Sequence, residues 1–113
     1  MKEPPAKYTF FRIEKPGHLA ITRNRIGLQE AESFRRELIG YLESYNHDII
    51  LDSSGLDDLD CSGIAVIIRA ESAARKRGVY IRVEGLKNKP RHIAEITRTL
   101  SILEHPERFI HPR

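Results

Sequence analysis

The sequence predicts an α/β single domain: a mixed, mostly parallel sheet of four to five strands with an N-terminal hairpin, packed with three to four helices. Three observations predict it. Short β-branched, apolar segments alternate with amphipathic helical segments, the order that produces right-handed crossovers and parallel pairing. The first two strand-like segments are separated only by residues 14–18, with the turn signal Glu14-Lys15-Pro16-Gly17, too short for a crossover, so they pair antiparallel. The chain of 113 residues suits one core and leaves no room for two.

The elements follow in order. Residues 1–6 carry two prolines and scattered charge and read as a flexible tail, with the domain running from 7 to 113. Tyr8-Thr9-Phe10-Phe11-Arg12-Ile13 and Leu19-Ala20-Ile21-Thr22 form the hairpin, being rich in aromatic and β-branched residues. From Gln29 to Tyr45, the residues Ala31, Phe34, Leu38, Tyr41, Leu42 and Tyr45 recur at three- and four-residue steps, with Glu30, Glu32, Arg35, Arg36, Glu37 and Glu43 on the other side. That is an amphipathic helix. Ile49-Ile50-Leu51 is a continuous apolar run, expected of a strand buried on both faces.

A second helix is expected from Ser62 to Arg77. Its first half, Ile64 to Ile68, is apolar all round, its second half is charged outward, and Gly78 stands where a left-handed C-terminal cap belongs. Val79 to Val83 alternates as a strand. Pro90 suits the first turn of a further helix, whose apolar stripe is Ile93, Ile96 and Leu100, and Arg108-Phe109-Ile110 reads as a last short edge strand.

Composition narrows the function. The apolar fraction of 40% and charged fraction of 31% are those of a globular domain. No apolar run reaches the roughly 20 residues of a membrane span, and the N-terminus lacks the apolar region of a signal peptide. One cysteine, Cys61, forms no disulfide framework, which together implies a cytoplasmic protein without membrane insertion. The net charge of +3 and pI near 9.2 come from dispersed residues. The run Arg75-Lys76-Arg77 is first a helix terminus complementing the dipole, then a possible docking patch for an acidic partner. No aromatics interleave with it and no nucleic-acid motif accompanies it, so no direct nucleic-acid binding is expected.

The segment that carries chemistry is Asp60-Cys61-Ser62-Gly63. It follows an acidic loop containing Asp57 and Asp58 and leads straight into the apolar helix. Asp60 or Ser62 is placed to cap the free amides of the first turn, and that plain capping role is the first reading of Ser62. The second is a switch. A phosphate there would add about −1.5 to −2 charges, tolerated by the helix start and opposed by Asp57, Asp58 and Asp60. It would change the shape and sign of a surface without unfolding the domain. Asp52-Ser53-Ser54-Gly55, by contrast, leads into a loop and simply turns the chain.

Catalysis has little support. Ser62 lacks the preceding glycine of a nucleophile elbow and a marked base or oxyanion hole. None of the five histidines has a spacing that marks a base or ligand, and one cysteine with scattered histidines makes no metal site. No cofactor is expected. At Cys61 the helix start would favour a reactive thiolate and the neighbouring carboxylates would oppose it, so a small, partly buried filler is the expectation.

The strand Ile49-Ile50-Leu51-Asp52, the Leu59 before Asp60, the signature Asp60-Cys61-Ser62-Gly63-Ile64, the helix ending at Gly78 and the strand through Val83 together resemble the STAS domain of bacterial anti-sigma-factor antagonists and their relatives, from about Leu19 to Leu103. The resemblance implies a phosphorylatable protein-binding module in a partner-switching pathway. Its partner would be an anti-sigma factor that is also a serine kinase of the histidine-kinase-like ATPase type. That kinase would modify the serine matching Ser62, and a phosphatase would restore it. It implies a contact surface of Asp57, Asp58, Asp60, Cys61, Ser62 and Gly63. Three departures are visible: Arg25-Ile26-Gly27-Leu28-Gln29 carries no acid where the family often has one, Cys61 replaces a usual serine or threonine, and Thr97-Arg98-Thr99-Leu100-Ser101 lacks the frequent small-residue-glycine ending. Relatives also serve as cytoplasmic subunits of membrane transporters, such as accessories of lipid-transport ATPases, and as components of stress-sensing assemblies. These are the alternative readings.

Overall fold

The computed structural model describes residues 8–109; the expected tail of residues 1–6 lies outside them. The elements are β1 (Phe11–Lys15), β2 (His18–Ile21), β3 (Arg25–Ile26), α1 (Ala31–Ser44), β4 (Ile49–Asp52), β5 (Asp58–Leu59), α2 (Cys61–Lys76), β6 (Ile81–Glu84), α3 (Asn88–Ile96), α4 (Leu100–Glu104) and a 3₁₀ turn, Pro106–Phe109. The main sheet runs β1-β2-β4-β6. Its first pair is antiparallel and the other two are parallel, so the expected mixed sheet with an N-terminal hairpin is present.

The β2, β4 and β6 strands stack Leu19, Leu51 and Val83 in one row. All three are buried and face Phe34, Leu38, Leu42, Ile64 and Ile67 of the two long helices in one core. The alternate row is different. Ile50 lies between His18 and Arg82 in register, and Asp52 lies between Ala20 and Glu84. Ile50 is only half-buried, so β4 is not buried on both faces as expected. Its second face is shared with charged residues and meets solvent, because among the described residues no helix packs over the middle of it.

The hairpin turn is anchored from α1. The buried Tyr41 hydroxyl accepts the amide of Gly17 at 2.9 Å, and burial pushes the Tyr41 phenol above its ordinary pKa. Glu37 accepts the amides of Thr9 and Phe10, holding the chain as it enters β1.

Gly78 takes φ +83°. Its amide donates to Arg75 O, and the amide of Val79 donates to Ala74 O. That pair of bonds is a Schellman cap, as the sequence predicts. The same pair closes α3: Arg98 N donates to Glu95 O and Thr99 N to Ala94 O. The left-handed residue here is Arg98, at φ +60°.

This break corrects the reading of one further helix. Ile93 and Leu100 fall on separate helices, and Ile96 is 62% exposed because it ends α3 on the solvent side. Two other expectations fail. Arg108 and Phe109 belong to a 3₁₀ turn, not an edge strand, with Ile110 outside the described residues. The second half of α2 is not uniformly outward-facing, since Glu71 is 2% exposed.

The remaining pair, β3 with β5, is a parallel ladder of Arg25 with Asp58 and Ile26 with Leu59, separate from the main sheet. It is short, and it matters because it brings the loop before α1 against the loop before α2.

Candidate functional site

Helix α2 begins at Cys61, and its cap is Asp60. Its Oδ1 accepts the amides of Ser62 at 2.8 Å and Gly63 at 3.2 Å. Its Oδ2 accepts the amide of Leu28 at 3.2 Å. Asp60 has the extended backbone of an N-cap, so of the two capping candidates the aspartate holds the role, and the Ser62 hydroxyl is not engaged as a cap. Glu30 accepts the Gly27 amide at 2.7 Å, which closes the turn from 27 to 30 and sets Leu28 outward, 74% exposed.

Gly63 lets α2 lie close to β3. A Cβ there would fall 2.5 Å from Leu59 Cδ1 and 3.1 Å from Ile26 O, closer than packed atoms allow. The glycine of the signature thus has a packing reason: it fixes how near Ser62 sits to the loop that carries Leu28.

The other predicted contact residues divide. Asp57 is exposed, and its amide donates to Asn24 O. Asp58 lies in ion pairs with Arg25 at 3.7 Å and Lys89 at 3.8 Å, so part of its charge is offset by basic neighbours. Cys61 is exposed, which corrects the expectation of a partly buried filler: as the first residue of α2 it points away from the core that Ile64 and Ile67 enter. Ser62 is half-buried and opens into a hollow of about 360 Å³ between α1 and α2, lined by Leu28, Glu32, Arg35, Ser62, Val66 and Arg69 among others.

The α1 side of this hollow is not marked by the local signature at Asp60–Gly63. Arg35 is held by Glu32, with contacts of 3.0 and 2.6 Å, and the Arg35 guanidinium holds the Glu32 carboxyl below its usual range. Arg69 also borders a second hollow of about 400 Å³ farther along the same helix pair, with Ile39, Ala73 and Lys76. The spacing of Ser62 and Arg69, seven residues or about two turns, was visible in the sequence. The approach of α1 was not.

A four-stranded mixed sheet with two long helices packed together, and a hydroxyl at the start of the second one, defines a small α/β domain with a surface site in place of an enclosed pocket. Residues 19–109 match the family model of the STAS domain; the chain belongs to that family. No curated protein sequence matches it. In structure it is similar to a candidate anti-sigma factor antagonist from Thermotoga maritima, with a TM-score of 0.69 at 16% identity over 88% of this chain and 89% of that one. It is also similar to part of murine Solute Carrier 26 family member A9, an anion transporter in the inward-facing state, with a TM-score of 0.55 at 26% identity over 73% of this chain. That match takes up 14% of the transporter's length. Among the described residues no helix is long and apolar enough to cross a membrane.

Proposed function

We propose that this STAS domain is a protein-binding module, not an enzyme, that acts in the cytoplasm as an anti-sigma-factor antagonist and is switched by phosphorylation of Ser62. The observation that carries the reading is the division of labour at the start of α2: Asp60 caps the helix, which leaves the half-buried Ser62 hydroxyl with no capping duty. A kinase would transfer the γ-phosphoryl group of a nucleoside triphosphate to Ser62 Oγ, with loss of the hydroxyl proton and release of the nucleoside diphosphate. A phosphatase would return the hydroxyl with water and release inorganic phosphate. Leu28, Asp57, Asp60 and Cys61 lie around the modified position and form the contact surface; Gly63 is buried against Leu59 and Ile26, so it packs the helix start and is not the contact residue expected. Asp58, tied to Arg25 and Lys89, stands at its edge.

A second reading, a STAS subunit of a membrane transporter, draws support from the similarity to the anion transporter; a stress-sensing assembly would use the same surface. The experiment is a comparative pull-down with Ser62→Ala and Ser62→Asp as baits. Capture of a kinase-like ATPase by the alanine form and its loss with the aspartate form supports the switch. Equal capture of a transporter component by both moves the protein to the second reading.

A further inference from the structure

A phosphate on Ser62 finds the nearest amides at the start of α2, those of Ser62 and Gly63, already taken by Asp60 Oδ1. The same carboxylate repels a second anion. The phosphate is therefore driven away from Asp60 and along the helix surface.

What stands in that direction is Arg69. Seven residues at 100° each return to within about 20° of the starting face, and the axial separation is roughly 10 Å. Helical side chains all lean toward the N-terminus, Ser62 as well as Arg69, so it is the length of the arginine and of the added phosphate that spans the gap. Both residues border the same hollow, with Ala65 and Val66 between them, short side chains that leave the path open.

Charge singles out the same residue. In this hollow Arg35 is engaged by Glu32 at 2.6 Å, whereas among the described residues Arg69 has no carboxylate within ion-pair distance. A planar guanidinium is suited to bind a phosphate through two parallel hydrogen bonds.

We propose that phosphoserine at position 62 pairs with Arg69 across two turns of α2, so that the modification closes over the α1–α2 hollow. Arg69 is then the phosphate's positioning residue, and the partner loses the hollow as well as meeting a new charge. This inference rests on the reading of Ser62 as the modified residue.

The test uses full-length protein with phosphoserine encoded at position 62, followed by ³¹P NMR against pH. An arginine contact of roughly 5 Å in a water-like dielectric lowers the second phosphate pKa by about half a unit. Arg69→Ala should raise the pKa by that amount, and Arg69→Lys should retain part of the lowering. Arg98→Ala, the same charge change at the α3–α4 corner, should leave it in place. An Arg69→Ala protein that titrates like the parent, or an Arg98→Ala shift of equal size, overturns the pairing. Because the phosphate is installed directly, the result is independent of any kinase. Failure of a kinase to modify Ser62 would remove the switch and leave a measured pairing standing.

Discussion

Asp60 ties the amide of Leu28 to the first turn of α2, one carboxylate oxygen serving each side. A single side chain thus sets both the start of the helix and the position of the exposed leucine beside Ser62. Asp60→Ala should cost about 1–2 kcal/mol by loss of the cap, measured by chemical denaturation, and should speed hydrogen exchange at the Leu28 amide. Asp60→Asn keeps one acceptor for the cap. It should lose less stability and yet free Leu28 to the same extent. An asparagine variant that protects Leu28 like the parent would show the contact to be incidental.

Gly63→Ala should be more damaging than an alanine in a helix normally is. The new methyl meets the side-chain end of the buried Leu59 on β5 and the backbone oxygen of Ile26 on β3; the leucine must repack within the core, and the oxygen moves only with β3. Overpacking of this kind costs about 1–3 kcal/mol. Alanine otherwise favours helices by about 1 kcal/mol over glycine, so a stabilised variant would mean that β3 gives way freely.

The sequence announced part of this site and concealed the rest for physical reasons. An aspartate before a serine and glycine, followed by Ile64, Val66 and Ile67, is a local capping pattern, and local patterns are legible. So was Gly78, because a left-handed cap favours glycine. The β3–β5 ladder is two residues long on each strand, too short to show alternation, yet it brings the Leu28 loop to Asp60. The open second face of the sheet was hidden because Ile49-Ile50-Leu51 looks the same whether or not a helix covers Ile50. Arg69 lies in plain view on α2, but only tertiary packing supplies the α1 wall that makes its side a hollow.

Two helix ends with the same cap and different residues should respond oppositely to substitution. At Gly78 a Cβ would meet nothing within 4 Å, so Gly78→Ala costs backbone strain alone, about 1 kcal/mol. Arg98 holds the equivalent conformation at φ +60° with a side chain that disfavours it. Arg98→Gly should therefore stabilise the domain by about 0.5–1 kcal/mol after allowance for the freer unfolded chain. Thermal melts of the two variants decide the matter: a destabilised Arg98→Gly protein would show that the arginine makes compensating contacts.

Glu71 gives the domain a pH dependence that a surface carboxylate would not. It is 2% exposed. Its Oε1 accepts Arg75 Nε at 2.8 Å, and its buried Oε2 has no hydrogen-bond partner among the described residues. Burial pushes the Glu71 carboxyl above the usual carboxylate range, and the charge and hydrogen bond of Arg75 offset only part of that. The folded protein therefore holds this proton more tightly than the unfolded chain does. Linkage then fixes the sign: the stabilising contribution is fully present below the unfolded-state pKa and is lost as pH rises through the raised folded value. Relative to Glu71→Gln, which cannot titrate, the parent should gain stability as pH falls from neutral into the acid range. Denaturation midpoints of both proteins across that interval are the measurement. A constant difference between them would mean that Glu71 titrates alike in the folded and unfolded states.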